Sequence, residues 1–250
     1  MSGHSHWARI KRAKGVTDAR RGRAWSRLSR AVIIAARAGG GDPDMNLSLR
    51  YAIDAARDAN MPKDTIERAI KRGTGEQGGV TYEELLFEGY GPGGVAILCS
   101  ILTDNRNRTA PEIKRIFEAR GGRIGAPNSV ARLFKTRGVF MIAADKADED
   151  TLTNIALETG ADDVKSLGDG FELICDPAAF GDVRKALAAA NIKPESAEVT
   201  MVASTTVMLE GAEAEKMMRL IDALEDHDDT QAVHSNFEIS DADAARLSNG

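Results

Sequence analysis

The hydrophobic pattern of this 250-residue chain changes its period at a glycine-rich polar segment, Gly73 to Gly79. Before that segment, apolar residues such as Trp25, Leu28 and Val32 recur every three or four positions, which is typical of helices that pack on one face. After it, short apolar runs alternate with helical stretches. The sequence therefore predicts an α+β protein in which an N-terminal helical domain precedes two α/β domains.

Three helices are predicted in the N-terminal part. The first begins after Asp18 and ends at Gly39, the second starts at Asp42, and the third follows Pro62, because proline suits a first helical turn. Residues 1–16 show no clear period. We expect them to form a mobile or extended arm.

The rest of the chain predicts a mixed order of strands and helices. Strands are predicted over 82–90, 94–103, 130–134, 139–143, 164–167, 171–175, 198–203, 206–209 and 233–239, and helices over 109–120, 148–159, 178–190 and 211–226. From 139 to 203 the order is β-α-β-β-α-β, which is the ferredoxin-like order. The elements on either side are too few for separate sheets, so we expect them to combine into one.

The chain is therefore predicted to consist of four parts. They are a basic helical domain with its arm (1–78), a discontinuous α/β domain (79–137 plus 204–240), an inserted ferredoxin-like domain (138–203) and a frayed tail (241–250).

Charge is distributed very unevenly along the chain. The net charge is −5, yet residues 1–80 hold 16 Lys and Arg against 8 Asp and Glu, while residues 145–250 hold 8 against 24. The first 37 residues contain ten cations and one acid, Asp18. Such asymmetry indicates a partner that binds at one end.

The basic N-terminal region is the candidate site. Arg20, Arg23, Arg27 and Arg30 recur at three- and four-residue spacing, so they share one broad helix face without a neighbouring acid. Phosphate is the partner that we expect, because arginine forks match it well. A solvated helix face, an acidic protein or a membrane surface would also be compatible with these cations. The predicted nucleic-acid contacts are Lys11, Arg12, Lys14, Arg20, Arg21, Arg23, Arg27, Arg30, Arg106 and Arg108.

The arm also contains His4, His6 and Trp7. Trp7 could anchor the arm against the helices or stack on a base, and the sequence does not separate these alternatives. The two histidines lack further ligands nearby, so no metal site is predicted.

The segment from Thr103 to Thr109 concentrates polar side chains between a strand and a helix. Thr109 or Asn107 could cap that helix, and Asp104 could pair with Arg106 or Arg108. A structural turn and a contact loop for RNA or a ribosome both fit this pattern.

Sequence motifs for catalysis are missing. The segment Gly89 to Gly94 matches GxGxxG, but a strand follows it where a dinucleotide site needs a helix. Walker, nucleophile-elbow, HExxH and deaminase patterns do not occur. Cys99 and Cys175 lie in separate apolar runs and are expected to be buried, reduced thiols. We therefore predict a protein that is not an enzyme and needs no cofactor.

Hydropathy predicts no membrane segment. The apolar run from Val95 to Leu102 is far too short to cross a bilayer, and the N-terminus has no uninterrupted apolar stretch of the signal-peptide kind. A cytoplasmic monomer is the expectation.

Several long motifs in this order make the chain resemble the YebC family. They are Gly3-His-Ser-His-Trp7, Asp18-Ala-Arg-Arg-Gly22, Ala36-Arg-Ala-Gly-Gly-Gly-Asp-Pro43, Asn60-Met-Pro-Lys-Asp64, Ile66-Glu-Arg-Ala-Ile-Lys-Arg-Gly73, Gly89-Tyr-Gly-Pro-Gly-Gly-Val95 and Thr103-Asp-Asn-Arg-Asn-Arg-Thr109. The chain departs from the family pattern at His6, where a lysine is usual, and at Arg12-Ala13.

The resemblance implies three domains and a cytoplasmic protein that is usually described as a probable transcriptional regulator binding DNA. Mitochondrial relatives are translational activators, and bacterial ones are connected with relief of ribosome stalling, so ribosomal RNA is an alternative target. The family has no known catalytic residues or cofactor. The absence of a clear helix-turn-helix in the sequence favours structured RNA, whereas the family description favours DNA.

Overall fold

The computed structural model describes residues 18–76, 82–167 and 170–240, together with positions 243 and 246. Within the first helix, side chains are described from Trp25 onward. The predicted arm, residues 1–16, and most of the predicted tail lie outside the described residues.

The N-terminal unit consists of three helices packed around one apolar core. They are α1 (Asp18–Gly39), α2 (Leu47–Asp58) and α3 (Lys63–Gly73). Val32 and Ile33 of α1 meet Leu49, Ile53 and Ile66, and all five side chains are buried. The sequence placed a helical unit here correctly.

The second helix begins later than predicted, at Leu47 rather than near Asp42. The reason is Asn46, which caps α2 by accepting a hydrogen bond from the Leu49 N–H (3.1 Å). The Asn46 Nδ2 donates to the Ala35 carbonyl (2.7 Å) and so ties the cap to α1. Residues 42–45 therefore form a turn that leads into the cap.

The second unit is built on a four-stranded sheet assembled from two distant parts of the chain. Its strands are β1 (Glu83–Tyr90), β2 (Ala96–Thr103), β3 (Arg123–Ile124) and β9 (Thr230–Ser235), in the order β3-β1-β2-β9. Helices α4 (Arg106–Ala119) and α7 (Gly211–Glu225) bury one face of it. Strands β8 (Val207–Leu209) and β10 (Phe237–Ile239) form a small parallel pair beside it.

Three local predictions in this unit are wrong. The segment 130–134 is not a strand, because residues 131–133 form a 3-10 turn before β4 begins. The last strand, predicted over 233–239, is divided at Asn236, whose side chain accepts from the Ala96 N–H (2.7 Å) and donates to the Thr205 carbonyl (3.1 Å). Helix α4 is capped by Asn105, not by Asn107 or Thr109.

The third unit has the predicted ferredoxin-like arrangement. Strands β4 (Phe134–Ala143), β5 (Asp163–Ser166), β6 (Gly170–Cys175) and β7 (Ser196–Ala203) form an antiparallel sheet in the order β5-β6-β4-β7. Helices α5 (Glu149–Thr159) and α6 (Phe180–Ala189) pack on one face of it.

The division of the chain into domains stays a prediction. A boundary between 137 and 138 would fall inside β4, which is one continuous strand paired with β7 from Phe134 onward.

Both cysteines are buried and free, as the sequence predicted. Burial raises the pKa of the Cys99 thiol to about 12 and that of Cys175 to about 11. The reactive thiolate is therefore scarce at neutral pH.

We expect native protein to resist alkylation of Cys99 and Cys175 by iodoacetamide at pH 8, and denatured protein to take up two labels, as measured by mass spectrometry. Rapid labelling of either thiol in the native state would contradict this.

Candidate nucleic-acid interface

The described part of the chain contains only some of the predicted contact residues. Lys11, Arg12, Lys14, His4, His6 and Trp7 lie outside the described residues. Arg20, Arg21 and Arg23 lie on α1, in the stretch where only the backbone is described. The described side chains are those of Arg27, Arg30, Arg106 and Arg108.

Arg30 of α1 faces the second unit. Its guanidinium donates to the Asp228 carbonyl and lies 3.6 Å from the Asp229 carboxylate. The side chain is 19% exposed, so most of it is removed from solvent. Arg30 therefore joins the helical unit to the segment before β9.

Asp229 is the acceptor around which this junction is built. Its Oδ2 accepts from Arg108 (2.6 Å), and from the hydroxyl groups of Thr109 (2.7 Å) and Thr103 (3.0 Å). Burial raises the pKa of Asp229, but the hydrogen bonds from Thr109, Arg108 and Thr103 outweigh it and hold the pKa below its usual value. The carboxylate is therefore charged and saturated with donors.

Arg106 and Arg108 are also held by acids. Arg106 pairs with Glu83 (3.2 Å), and Arg108 pairs with Asp104 (3.2 Å) in addition to Asp229. Of the two pairings that the sequence left open for Asp104, the structure shows the one with Arg108. Both arginines keep about half of their side chains exposed, so the pairs with Glu83 and Asp104 are weak contacts that a phosphate could replace.

A cleft of about 810 Å³ lies at this junction. Its lining combines four basic and five acidic side chains: Arg30, Arg108, Arg115, His227, Asp104, Glu112, Asp226, Asp228 and Asp229, with Tyr82 and Ile116 between them. His227 Nδ1 accepts from the Asp229 N–H (3.2 Å), and its Nε2 lies 3.0 Å from Glu112 Oε2. Acids outnumber basic side chains in this lining, and Arg30 is the residue that links the helical unit to it.

The helical unit meets the third unit through α2. The Tyr51 ring packs edge-on against Phe180 of α6, with ring centroids 5.4 Å apart. Arg184 of α6 pairs with Asp54 (3.4 Å) and Asp58 (3.1 Å). Asp54 and Asp58 of α2 therefore form ion pairs with the third unit.

A loop between β3 and β4 carries an arrangement that the sequence analysis missed. The buried carboxylate of Glu88 accepts from the main-chain N–H groups of Asn128 (2.5 Å), Val130 (2.7 Å) and Ala131 (2.8 Å). Burial raises the pKa of Glu88, yet these three donors outweigh it and lower the pKa overall. The Glu88 side chain therefore ties this loop to β1.

Four cations within or next to this loop in the sequence are exposed: Arg120, Arg123, Arg132 and Lys135. The available sequence signal was that residues 119–144 contain five cations and no acid.

Comparison with known proteins identifies the family. Residues 5–76 match the TACO1/YebC protein N-terminal domain, and residues 82–237 match the TACO1/YebC second and third domain. The chain belongs to the TACO1/YebC family. The resemblance predicted from the sequence motifs is confirmed.

Other members of the TACO1/YebC family match nearly end to end. A protein of Desulforapulum autotrophicum is 54% identical over 241 residues, covering 96% of this chain and 98% of its own. One of Acidithiobacillus ferrooxidans is 53% identical over 247 residues, covering 99% and 98%. Both are named probable transcriptional regulatory proteins. The crystal structure of a conserved hypothetical protein from Aquifex aeolicus, Aq1575, is 41% identical with a TM-score of 0.79, covering 90% of this chain and 93% of that one.

Among the described residues, no helix is both long and apolar enough to cross a membrane. No group of three or more His, Cys, Asp or Glu side chains in the same residues could hold a metal ion.

Proposed function

We propose that this TACO1/YebC protein is a cytoplasmic, non-enzymatic regulator of gene expression that acts by binding nucleic acid, as a probable transcriptional regulator binding DNA. The observation that carries the proposal is the concentration of ten cations and one acid in residues 1–37. Neutralising phosphates with such a region releases counterions, which gives sequence-independent affinity. The names of the relatives, which describe transcriptional regulation, support the same class of function.

The position of the helical unit supports the basic end as the contact. Arg30 and Tyr51 attach this unit to the other two, while Arg20, Arg21 and Arg23 lie on the first turns of α1, before Trp25. Among the described side chains, Arg30, Arg106 and Arg108 are already paired with carboxylates. We therefore assign phosphate binding to the arm and the first turns of α1.

A translation factor that binds ribosomal RNA is the second candidate. The observation that favours it concerns the two short helices. Asp54 and Asp58 of α2 are paired with Arg184, and α3 exposes Asp64 and Glu67 among its basic residues. Acids on a helix repel a duplex, so neither helix presents the uniformly basic or neutral face that enters a major groove. Recognition of shape and phosphate in a structured RNA suits this surface.

The test compares wild type with an arm variant in which Lys11, Lys14, Arg20 and Arg23 are changed to Gln. Its matched control changes four exposed lysines, Lys63, Lys114, Lys185 and Lys216, to Gln and so has the same net charge. Each protein is centrifuged with ribosomes from a DNase-treated extract and titrated with labelled duplex DNA. We expect the arm variant to bind at least ~10-fold more weakly than the control, with a shallower salt dependence.

The two ligands separate the two candidates. Binding to DNA but not to ribosomes selects the transcriptional regulator, and the reverse selects the translation factor. Equal binding by the arm variant and its control would overturn the proposed site, and no binding by wild type to either ligand would overturn the function.

A further inference from the structure

The geometry points to a second phosphate-binding surface, formed by Arg120, Arg123, Arg132 and Lys135 around the loop between β3 and β4. This inference rests on the proposed binding of nucleic acid and adds a second point of attachment, remote in sequence from the basic arm. The ligand is the phosphodiester backbone of a nucleic acid, in duplex DNA or in a structured RNA.

The first observation is the composition of this stretch. In a chain with 38 acids and 33 Lys and Arg, the 26 residues from 119 to 144 contain no Asp or Glu and five cations. One of the five, Arg137, is paired with Asp162 (3.2 Å). The other four form no ion pair with any carboxylate in the described ranges, unlike Arg30, Arg106 and Arg108.

The second observation concerns Glu88, the acid whose side chain binds this loop. Glu88 is only 6% exposed, and its carboxylate accepts three main-chain N–H groups and forms no ion pair with the four surface cations. It acts on the loop instead. Burying a charge requires full satisfaction by donors, and here the donors are the amides of Asn128, Val130 and Ala131 in the loop itself.

The third observation is that the loop is rigid and exposed at the same time. Ala126, Pro127 and Asn128 form its exposed tip, and Asn128 has a positive φ of 63°. The Gly125 N–H donates to the Glu88 carbonyl (2.8 Å), and the Tyr90 hydroxyl donates to the Ser129 carbonyl (3.4 Å). An exposed segment that is held this firmly presents its flanking groups at fixed positions.

Tyr90 also orients one of the cations. The Arg123 guanidinium lies 5.2 Å from the centroid of the Tyr90 ring, which restrains the side chain without cancelling its charge. Arg132 follows directly on Ala131, whose N–H is bound by the Glu88 carboxylate, so that carboxylate fixes the backbone next to Arg132. Lys135 is exposed near the start of β4.

A solvated surface is a poorer explanation of these features. Ordinary surfaces intersperse both signs of charge, because like charges that stay together repel one another. An acidic protein would also satisfy four cations. The backbone of a nucleic acid fits better, because three of the four are arginines, whose forks match phosphate, and because the proposed function already brings that ligand to the molecule.

The experiment uses the full-length protein and three variants of equal net charge. The loop variant carries Arg120→Gln, Arg123→Gln, Arg132→Gln and Lys135→Gln, and the arm variant and the four-lysine control are those described above. Each is titrated with labelled duplex DNA and with a labelled RNA hairpin by fluorescence anisotropy, between about 50 and 200 mM salt. The slope of log K against log salt measures how many phosphate contacts each variant has lost.

We expect the loop variant to bind at least ~10-fold more weakly than the control, and its salt slope on DNA to fall by about 0.9 for each contact removed. A loss on only one of the two ligands shows which nucleic acid supplies the phosphates. A loop variant that binds as the control does, while the arm variant binds weakly, would overturn this inference and leave the proposed function intact. Failure of wild type to bind either ligand would overturn both.

Loss of the Arg123 contact with Tyr90 could destabilise the quadruple variant. A double variant, Arg132→Gln with Lys135→Gln, therefore accompanies it, because both side chains are exposed. Provided that its thermal unfolding is unchanged, the double variant is expected to show about half of the decrease in salt slope that the quadruple variant shows. Normal binding by a normally folded double variant counts against the surface.

Discussion

Replacing Asp229 by Ala should lower the free energy of unfolding by about 3 kcal/mol, because the change leaves buried donors without their shared acceptor. Thr103 and Thr109 are fully buried and would lose the Oδ2 that both contact. Arg108 is about half exposed and can be rehydrated, which keeps the expected effect at the lower end of the range for buried ion pairs. Urea unfolding monitored by circular dichroism measures it.

The neighbouring residue supplies the control for Asp229. Asp228 is exposed, and its carbonyl, not its side chain, accepts the hydrogen bond from Arg30, so Asp228→Ala should change stability by less than about 0.5 kcal/mol. Asp229→Asn keeps one acceptor oxygen and should fall between the two. Equal stability of Asp229→Ala and Asp228→Ala would mean that the network around Arg108 contributes nothing.

Replacing Glu88 by Ala should cost a comparable amount, about 3 kcal/mol, because three loop amides lose their acceptor and a buried unsatisfied amide costs about 1–3 kcal/mol. Part of the penalty is relieved where the loop opens to water. Hydrogen exchange should therefore show faster exchange at Asn128, Val130 and Ala131, in addition to the loss seen by urea unfolding. Glu84→Ala, on an exposed position of the same strand, is the matched control.

The pKa of Glu88 adds a pH dependence to this prediction. Because the folded protein holds that pKa below its usual value, the carboxylate stabilises fully above the unfolded pKa of about 4.3, and the contribution disappears as the pH falls through the lower folded pKa. The stability difference between wild type and Glu88→Ala should therefore be constant near neutral pH and narrow in acid. A difference that grows in acid would contradict the assignment.

The ferredoxin-like unit could be predicted from the sequence because its signals are local. Strand and helix periods alternate over 139–203, and the helix starting at Glu149 has Asp148 as its cap. Errors occurred where a distant side chain decides the outcome. Asn236 divides the last strand by binding Ala96, 140 residues away, and no local pattern reports such a contact.

In the candidate site, too, contacts between residues distant in sequence decide what could not be predicted. An uninterrupted row of arginines on α1 is visible in the sequence, but the partner of Arg30 lies about 200 residues later and that of Arg108 lies 121 residues later. In the sequence, nothing distinguishes Glu88 from the other acids of its strand. Only the fold shows that it binds a loop 40 residues further on. The distribution of charged residues along the chain could be predicted, whereas the pairing of each arginine with a carboxylate depends on tertiary contacts.

The sheet of the second unit also has a consequence for folding during synthesis. Strand β2 lies between β1 and β9, and Ile97 is in register with Ser235. The chain leaves the ribosome from its N-terminus, so β2 exposes an unpaired edge until residues 230–235 emerge, after the whole ferredoxin-like unit. Helix α7, which supplies Met217, Leu220 and Leu224 to the same core, is also made late. Closure of the second unit, and with it the docking of Arg30, is therefore a step of high contact order that awaits the last fifth of the polypeptide.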